Sequence, residues 1–264
     1  MEAGSAHPGD APTWKSRFVL HPIGADRYAV LPMTSDLKAI AKQIQREAPF
    51  TGGPIHHFES VGRDTFITLL ESGLLPSHRV LDVGCGALRN GYWLVRFLDA
   101  GCYFGIEPWA KMLNAGIRYA LGDELAAAKQ PTFSNNTRCD FRAFEVETRF
   151  DRVFARSVIT HGGPGMVRSL MSQFSELGDD GAVMLLSYWQ PDYEPDEGIA
   201  HYQAREVAAG EDLALDDWRF IPVMTYRFET LAGWAHEFGL HAAEWRERPL
   251  INQQVWLQVT RASG

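Results

Sequence analysis

The sequence predicts an α/β chain built on a doubly wound, mostly parallel sheet. Three observations carry this. Strand-like and helix-like segments alternate from about residue 79 to residue 187, glycines crowd a strand-to-helix junction in "VLDVGCGALRNGYW", and a last helix is followed by two strands that can form an antiparallel hairpin. With 264 residues and 45% hydrophobic content, the chain can fill a substantial core.

The elements follow in order. The opening MEAGSAHPGDAPT is small, polar and proline-bearing, so residues 1–13 read as a disordered tail. Residues 14–58 form a helical extension or lid: Leu37, Ile40, Ala41 and Ile44 share one helical face behind a Ser35 cap, and Pro49 closes the segment. From residue 59 to 264 runs the main domain. "FESVGRDTFITLLESGLL" places Phe66, Leu69, Leu70 and Leu74 at helical spacing and ends near Gly73. Strands are expected at about 79–83, 102–107, 132–133, 151–155 and 181–187. Helices are expected at about 91–99, at 108–121 with Pro108 in the first turn, and at 164–177. Prolines and acids at about 190–226 interrupt the alternation and read as an insertion over the functional edge of the sheet.

Composition excludes several function classes. The 25 Lys and Arg stand against 33 Asp and Glu, a formal charge of −8 that disfavours nucleic acid and favours a small-molecule partner. Cys85, Cys102 and Cys139 lack any C-x-x-C spacing, which argues against a disulfide framework or a zinc site and for reduced thiols. No apolar run suits a membrane span and no charged-then-apolar leader pattern is seen, so a cytoplasmic location is expected; for assembly, a homodimer is allowed. Asp192, Glu194, Asp196 and Glu197 read as a solvated acidic loop, and no metal site is expected.

The glycines of the opening motif let a backbone turn sharply and let a ligand lie against it near helix N-terminal amides. A dinucleotide fingerprint G-x-G-x-x-G starting at Gly84 and Gly86 requires a third glycine at position 89, where Arg89 stands. Asp82 is also awkward beside a pyrophosphate and well suited to an ammonium group. A nicotinamide-dependent dehydrogenase is thereby disfavoured. A binding protein without turnover stays open.

"LDVGCG", followed about two dozen residues after Asp82 by "GIEP", resembles motifs I and II of the class I S-adenosylmethionine-dependent methyltransferases. The resemblance runs from about Gly62 to Phe174, with a weaker echo in the C-terminal hairpin, and "LDVGCGALRNG" is similar to bacterial enzymes that methylate sugars and natural products. It implies a Rossmann-like methyltransferase fold, S-adenosyl-L-methionine as cofactor, and methyl transfer to an oxygen, or less readily a nitrogen or carbon, of a small metabolite. One departure stands out. The pattern D-x-G-x-G-x-G carries a third glycine where this chain has Leu88, and Gly91 comes three residues later.

The resemblance also implies roles. Asp82 would hold the methionyl ammonium, Gly84 and Gly86 would admit the methionyl part, and Glu107 would accept both ribose hydroxyls, a carboxylate's two oxygens matching a diol. Cys85, Arg89 and Pro108 join these as expected cofactor contacts within the motifs. Asp140 and Phe141 resemble the acid and apolar pair that receives adenine, although an ordinary loop acid explains Asp140 as well. After the fourth strand, in "FDRVFARSVITHGG", Arg156 and Ser157 are expected to line the cofactor and His161 to face the substrate as general base, or else to be structural. His57 is expected on a lid beside the substrate; Tyr188 and Trp189 either shape the acceptor pocket or belong to the core.

Overall fold

The first strand, β1 (Val80–Val83), is buried at all four positions, as is β2 (Tyr103–Ile106), the pattern of strands covered on both faces. The structure is a computed structural model that describes residues 36–48, 55–144, 148–192, 205–206, 224–246, 250 and 253–261. The expected tail over 1–13 and most of the insertion lie outside these residues. Asp36–Gly264 forms one compact unit.

To these strands the chain adds β3 (Thr132–Ser134), β4 (Phe150–Ala155), β5 (Gly178–Tyr188), β6 (Leu240–Trp245) and β7 (Val255–Arg261). They form one sheet in the order β3-β2-β1-β4-β5-β7-β6. The first five strands are parallel, and β7 lies antiparallel between β5 and β6. Strand order reverses between β1 and β4, which puts the ligand crevice at their carboxyl ends. A two-residue parallel ladder joins Arg205–Glu206 to Met224–Thr225.

The helices are α1 (Leu37–Glu47), α2 (Phe58–Glu71), α3 (Gly91–Phe97), α4 (Ala110–Gly116), α5 (Gly122–Lys129), α6 (Pro164–Leu177) and α7 (Phe228–Glu237). Three of the boundaries that differ from the sequence expectation have a local reason. Asp36, not Ser35, caps α1, because its carboxylate accepts from Lys38 N at 3.0 Å and Ala39 N at 3.3 Å. The helix expected from Pro108 begins at Ala110 behind an extended Trp109, continues through a π-helical turn at Ile117–Leu121, and restarts as α5 at Gly122. Finally β5 starts three residues early, since Gly178 pairs with Phe150 before a register shift lets Val183 pair with Arg152.

Inside, Phe104, Phe144 and Phe150 pack edge to face, with centroids 5.3–6.2 Å apart. On the outside, Glu47 at the end of α1 accepts from Arg118 at 2.8 Å and from the Tyr119 hydroxyl at 3.0 Å, tying α1 to the π-helical turn.

Candidate functional site

The turn between β1 and α3 is pinned first. Gly84 N and Cys85 N both donate to the Ile106 carbonyl, at 2.8 and 3.0 Å, which holds the turn against the end of β2. Gly84 and Gly86 have φ of 71° and 57°, a region in which a Cβ is strained. Leu88, at the position of the motif's third glycine, also has a left-handed φ of 59°. That costs a residue with a side chain about 1–2 kcal/mol. Its side chain is fully buried, worth about 1.5–3 kcal/mol, so burial offsets the strain and the glycine-type loop survives without the glycine. Gly91 serves instead at the start of α3, where a Cβ would come within 2.8 Å of the Tyr103 hydroxyl oxygen.

Gly84 also touches the next segment. A Cβ there would lie 2.5 Å from Val158 Cγ2, on a backbone that already disfavours one. Gly84→Ala should therefore lose about 2–4 kcal/mol of stability, strain and overpacking together. Urea unfolding measures this, and an unchanged midpoint would contradict the packing described.

Two carboxylates bracket the turn. Asp82 is wholly buried; its Oδ2 accepts from the Tyr103 hydroxyl at 2.8 Å, and its Oδ1 is buried without a hydrogen-bond partner. Burial pushes its carboxyl up to about 8; the Tyr103 hydrogen bond opposes that rise and the nearby Glu107 adds to it. Glu107, at the end of β2, is 4% exposed and accepts from Gly86 N at 3.0 Å and Trp109 N at 2.8 Å. Burial raises its carboxyl as well, against those two backbone hydrogen bonds. Each Glu107 oxygen keeps a second lone pair for a hydroxyl donor. An orphaned buried oxygen on Asp82 and a fixed carboxylate on Glu107 fit an ammonium and a diol respectively.

The β4 segment supplies the opposite wall. Arg156 donates to Thr65 Oγ1 at 2.7 Å and pairs with Asp64 at 3.3 Å, so its guanidinium fastens β4 to α2. Ser157 has a left-handed φ of 56° and sits in a closed ring of hydrogen bonds. Its N–H donates to Ser187 Oγ at 2.7 Å, Ser187 donates to Gln254 Oε1, and Gln254 Nε2 donates back to Ser157 Oγ at 2.9 Å. His161 ends a 3-10 turn, Ile159–His161, and meets Trp189 edge to face with ring centroids 6.4 Å apart. Tyr226 donates to the carbonyl of Gly162 behind that turn.

The other expected residues have surroundings of several kinds. The Phe141 ring is 1% exposed and packs on Phe150 at 6.1 Å, so it serves the core. Tyr188 is also fully buried, its hydroxyl donating to Glu244; burial raises its pKa. The Cys85 thiol is buried against Gly105, and burial holds its pKa well above the usual value. Asp140 is half-buried, its carboxylate accepting from Arg142 N at 2.9 Å to cap a short turn. Pro108 precedes its helix rather than opening it. Trp189 is 6% exposed and bridges to Thr225 as well as meeting His161. Arg89 is pushed down to about 10 by burial and by the charge of Arg156. His57 is lowered by burial first, then by His56 and Arg89, so Arg156, Arg89 and His57 form one basic neighbourhood. Sequence reasoning missed Tyr103, Gln254 and Tyr226. Tyr103 carried a signal: a tyrosine in a buried strand needs a partner for its hydroxyl.

Among the described residues no group of three or more His, Cys, Asp or Glu is placed to hold a metal ion. Asp192 is described, whereas Glu194, Asp196 and Glu197 lie outside the described residues. No helix among the described residues is long and apolar enough to cross a membrane.

No protein-family model matches the chain. A phosphoethanolamine N-methyltransferase from Triticum aestivum is 28% identical over 145 residues, which cover 52% of this chain and 25% of that protein. The chain thus spans about a quarter of the length of this curated relative. Among solved structures, magnesium protoporphyrin IX methyltransferase from Synechocystis with bound S-adenosylmethionine aligns at a TM-score of 0.53 with 15% identity, covering 88% of this chain and 100% of that one. The CcbJ methyltransferase from Streptomyces caelestis aligns at 0.54 with 19% identity, covering 82% and 100%. The seven-stranded, mostly parallel sheet with its antiparallel end and flanking helices thus has the Rossmann-like fold of these methyltransferase structures.

Proposed function

We propose that the chain is an S-adenosylmethionine-dependent methyltransferase acting on a small molecule, at an oxygen in preference to a nitrogen or carbon. The observation that carries this reading is the pair of buried carboxylates flanking the glycine turn. Asp82 has one oxygen without a partner, and Glu107 is locked to Gly86 N at 3.0 Å.

In this reading Asp82 holds the methionyl ammonium and Glu107 the ribose hydroxyls, while Gly84 and Gly86 let the backbone come close. The bound cofactor supplies an electrophilic methyl group on a sulfonium, which needs only an aligned nucleophile. His161 receives the acceptor's proton, and Trp189, edge-on to His161, helps exclude water from that transfer. The Ser157–Ser187–Gln254 ring and the Arg156 clamp fix the wall on which His161 stands.

The acidic balance of the chain supports a small acceptor over nucleic acid. Tritiated-methyl transfer into bulk tRNA, rRNA and DNA should stay at background while small-molecule fractions take up label. Robust incorporation into a nucleic acid would overturn this reading of the acceptor.

A further inference from the structure

Asp82 sits at the carboxyl end of β1 with groups of known character on every side. In the parallel register its neighbours are Gly105 in β2 and Phe154 in β4, neither of which carries a charge. The titratable groups facing it are Tyr103 and Glu107 from β2 and Cys85 from the turn, all neutral or acidic. Among the described residues no cation takes part in this cluster. Buried with one oxygen unpartnered and an acid nearby, Asp82 has, among the described residues, the Tyr103 hydroxyl and no opposite charge to balance an ionised carboxylate.

Among the described residues the donor to Asp82 is the Tyr103 hydroxyl, at 2.8 Å, and it is itself confined by α3. The start of α3 is a glycine at the point where any Cβ would meet that hydroxyl, at 2.8 Å. Tyr103 is 2% exposed, so its hydroxyl is held on Asp82 by the packing around it.

We propose that Asp82 is held as a protonated acid in the free protein by its burial among uncharged groups, that Tyr103 positions its carboxyl, and that cofactor binding releases the proton as the incoming ammonium takes its place. The inference rests on the cofactor reading above and extends it. The step balances simply: the Asp82 O–H bond breaks, its proton passes to bulk buffer, and the carboxylate left behind pairs with an ammonium that keeps all its own protons. Cofactor affinity consequently rises with pH across the neutral range. The direction agrees with the raised carboxyl of Asp82, which burial keeps protonated until about pH 8. Glu107 differs, because two backbone N–H groups already stabilise its charge.

The test is calorimetric titration of the full chain with S-adenosylhomocysteine, which carries the same ammonium, in buffers of different ionisation enthalpy. Between about pH 6 and about pH 7.5, affinity should rise about tenfold per pH unit, with close to one proton released per ligand bound. Tyr103→Phe removes the one donor that favours the charged acid. It should displace the whole affinity profile to higher pH, with affinity recovering at the alkaline end; a merely structural defect would weaken binding equally at every pH. Binding without proton release and with a flat pH profile would overturn the proposal while leaving the cofactor reading standing. A sloped profile that Tyr103→Phe leaves in place would assign the proton to Glu107 and overturn it too. Absence of binding at every pH would overturn the cofactor reading and this inference together.

Discussion

Asp82→Asn should weaken S-adenosylhomocysteine binding by roughly 10- to 150-fold, the loss expected when a charged hydrogen bond worth about 1.5–3 kcal/mol is removed. Folding should not suffer. The folded pKa of Asp82, raised to about 8, lies above its unfolded value of 3.8. The unfolded chain therefore ionises first, and the acid's contribution to stability, fully present below the unfolded value, drains away as pH rises toward the folded one. An asparagine does not titrate. Asn at this position keeps a carbonyl oxygen for the Tyr103 hydroxyl, so thermal melts should match wild type in acid and equal or exceed it near pH 8. Weakened binding in a variant at least as stable as wild type marks a ligand group rather than a scaffold group. An unchanged affinity in the folded variant would remove Asp82 from the site.

His161→Ala should lower the rate of methyl transfer by roughly 10²–10⁴, the loss typical of a positioned base, with S-adenosylhomocysteine affinity nearly unchanged. A hydroxyl is a poor nucleophile until its proton has an acceptor, and imidazole, with an ordinary pKa of about 6.5, titrates where such transfers occur. The placement supports the role. The Ile159–His161 turn follows the β4 segment that packs on Gly84 through Val158, and Tyr226 holds the next residue's carbonyl from behind. Initial rates of S-adenosylhomocysteine formation with the acceptor measure the effect. Near-normal turnover would move proton removal to another group, His57 or Asp192 being next. Collapse of cofactor binding together with activity would make His161 structural.

The alternation of apolar strands with amphipathic helices was legible because buried parallel strands leave continuous apolar runs such as "VLDV" and "YFGI". The helix at 164–177 was read to the residue, since Pro164 fixes its start. Less legible were features decided by tertiary contacts. Leu88 in a left-handed conformation contradicts local preference, and only its complete burial explains how the loop keeps its shape. The π-helical turn after α4 is marked in sequence by little beyond Gly122. At the site, the positions of Asp82 and Glu107 at strand ends and of His161 in the turn after β4 could be read from their places along the strands. Phe141 and Tyr188 could not, because a residue at a strand end faces ligand or core according to the packing around it, and both rings turn inward. Tyr103 and Gln254 escaped notice because their partners, Asp82 and Ser157, lie 21 and 97 residues away along the chain.

The central claim is that the carboxylates flanking the glycine turn hold a methyl donor against a wall bearing His161. A crystal structure of the chain with S-adenosylhomocysteine tests it most directly. The account predicts the ligand's ammonium within hydrogen-bond distance of Asp82 Oδ1, its ribose hydroxyls on Glu107, and its sulfur facing the space beside His161 and Trp189. A ligand bound elsewhere, or one lying in the crevice with its ammonium away from Asp82 and its sulfur turned from His161, would contradict it.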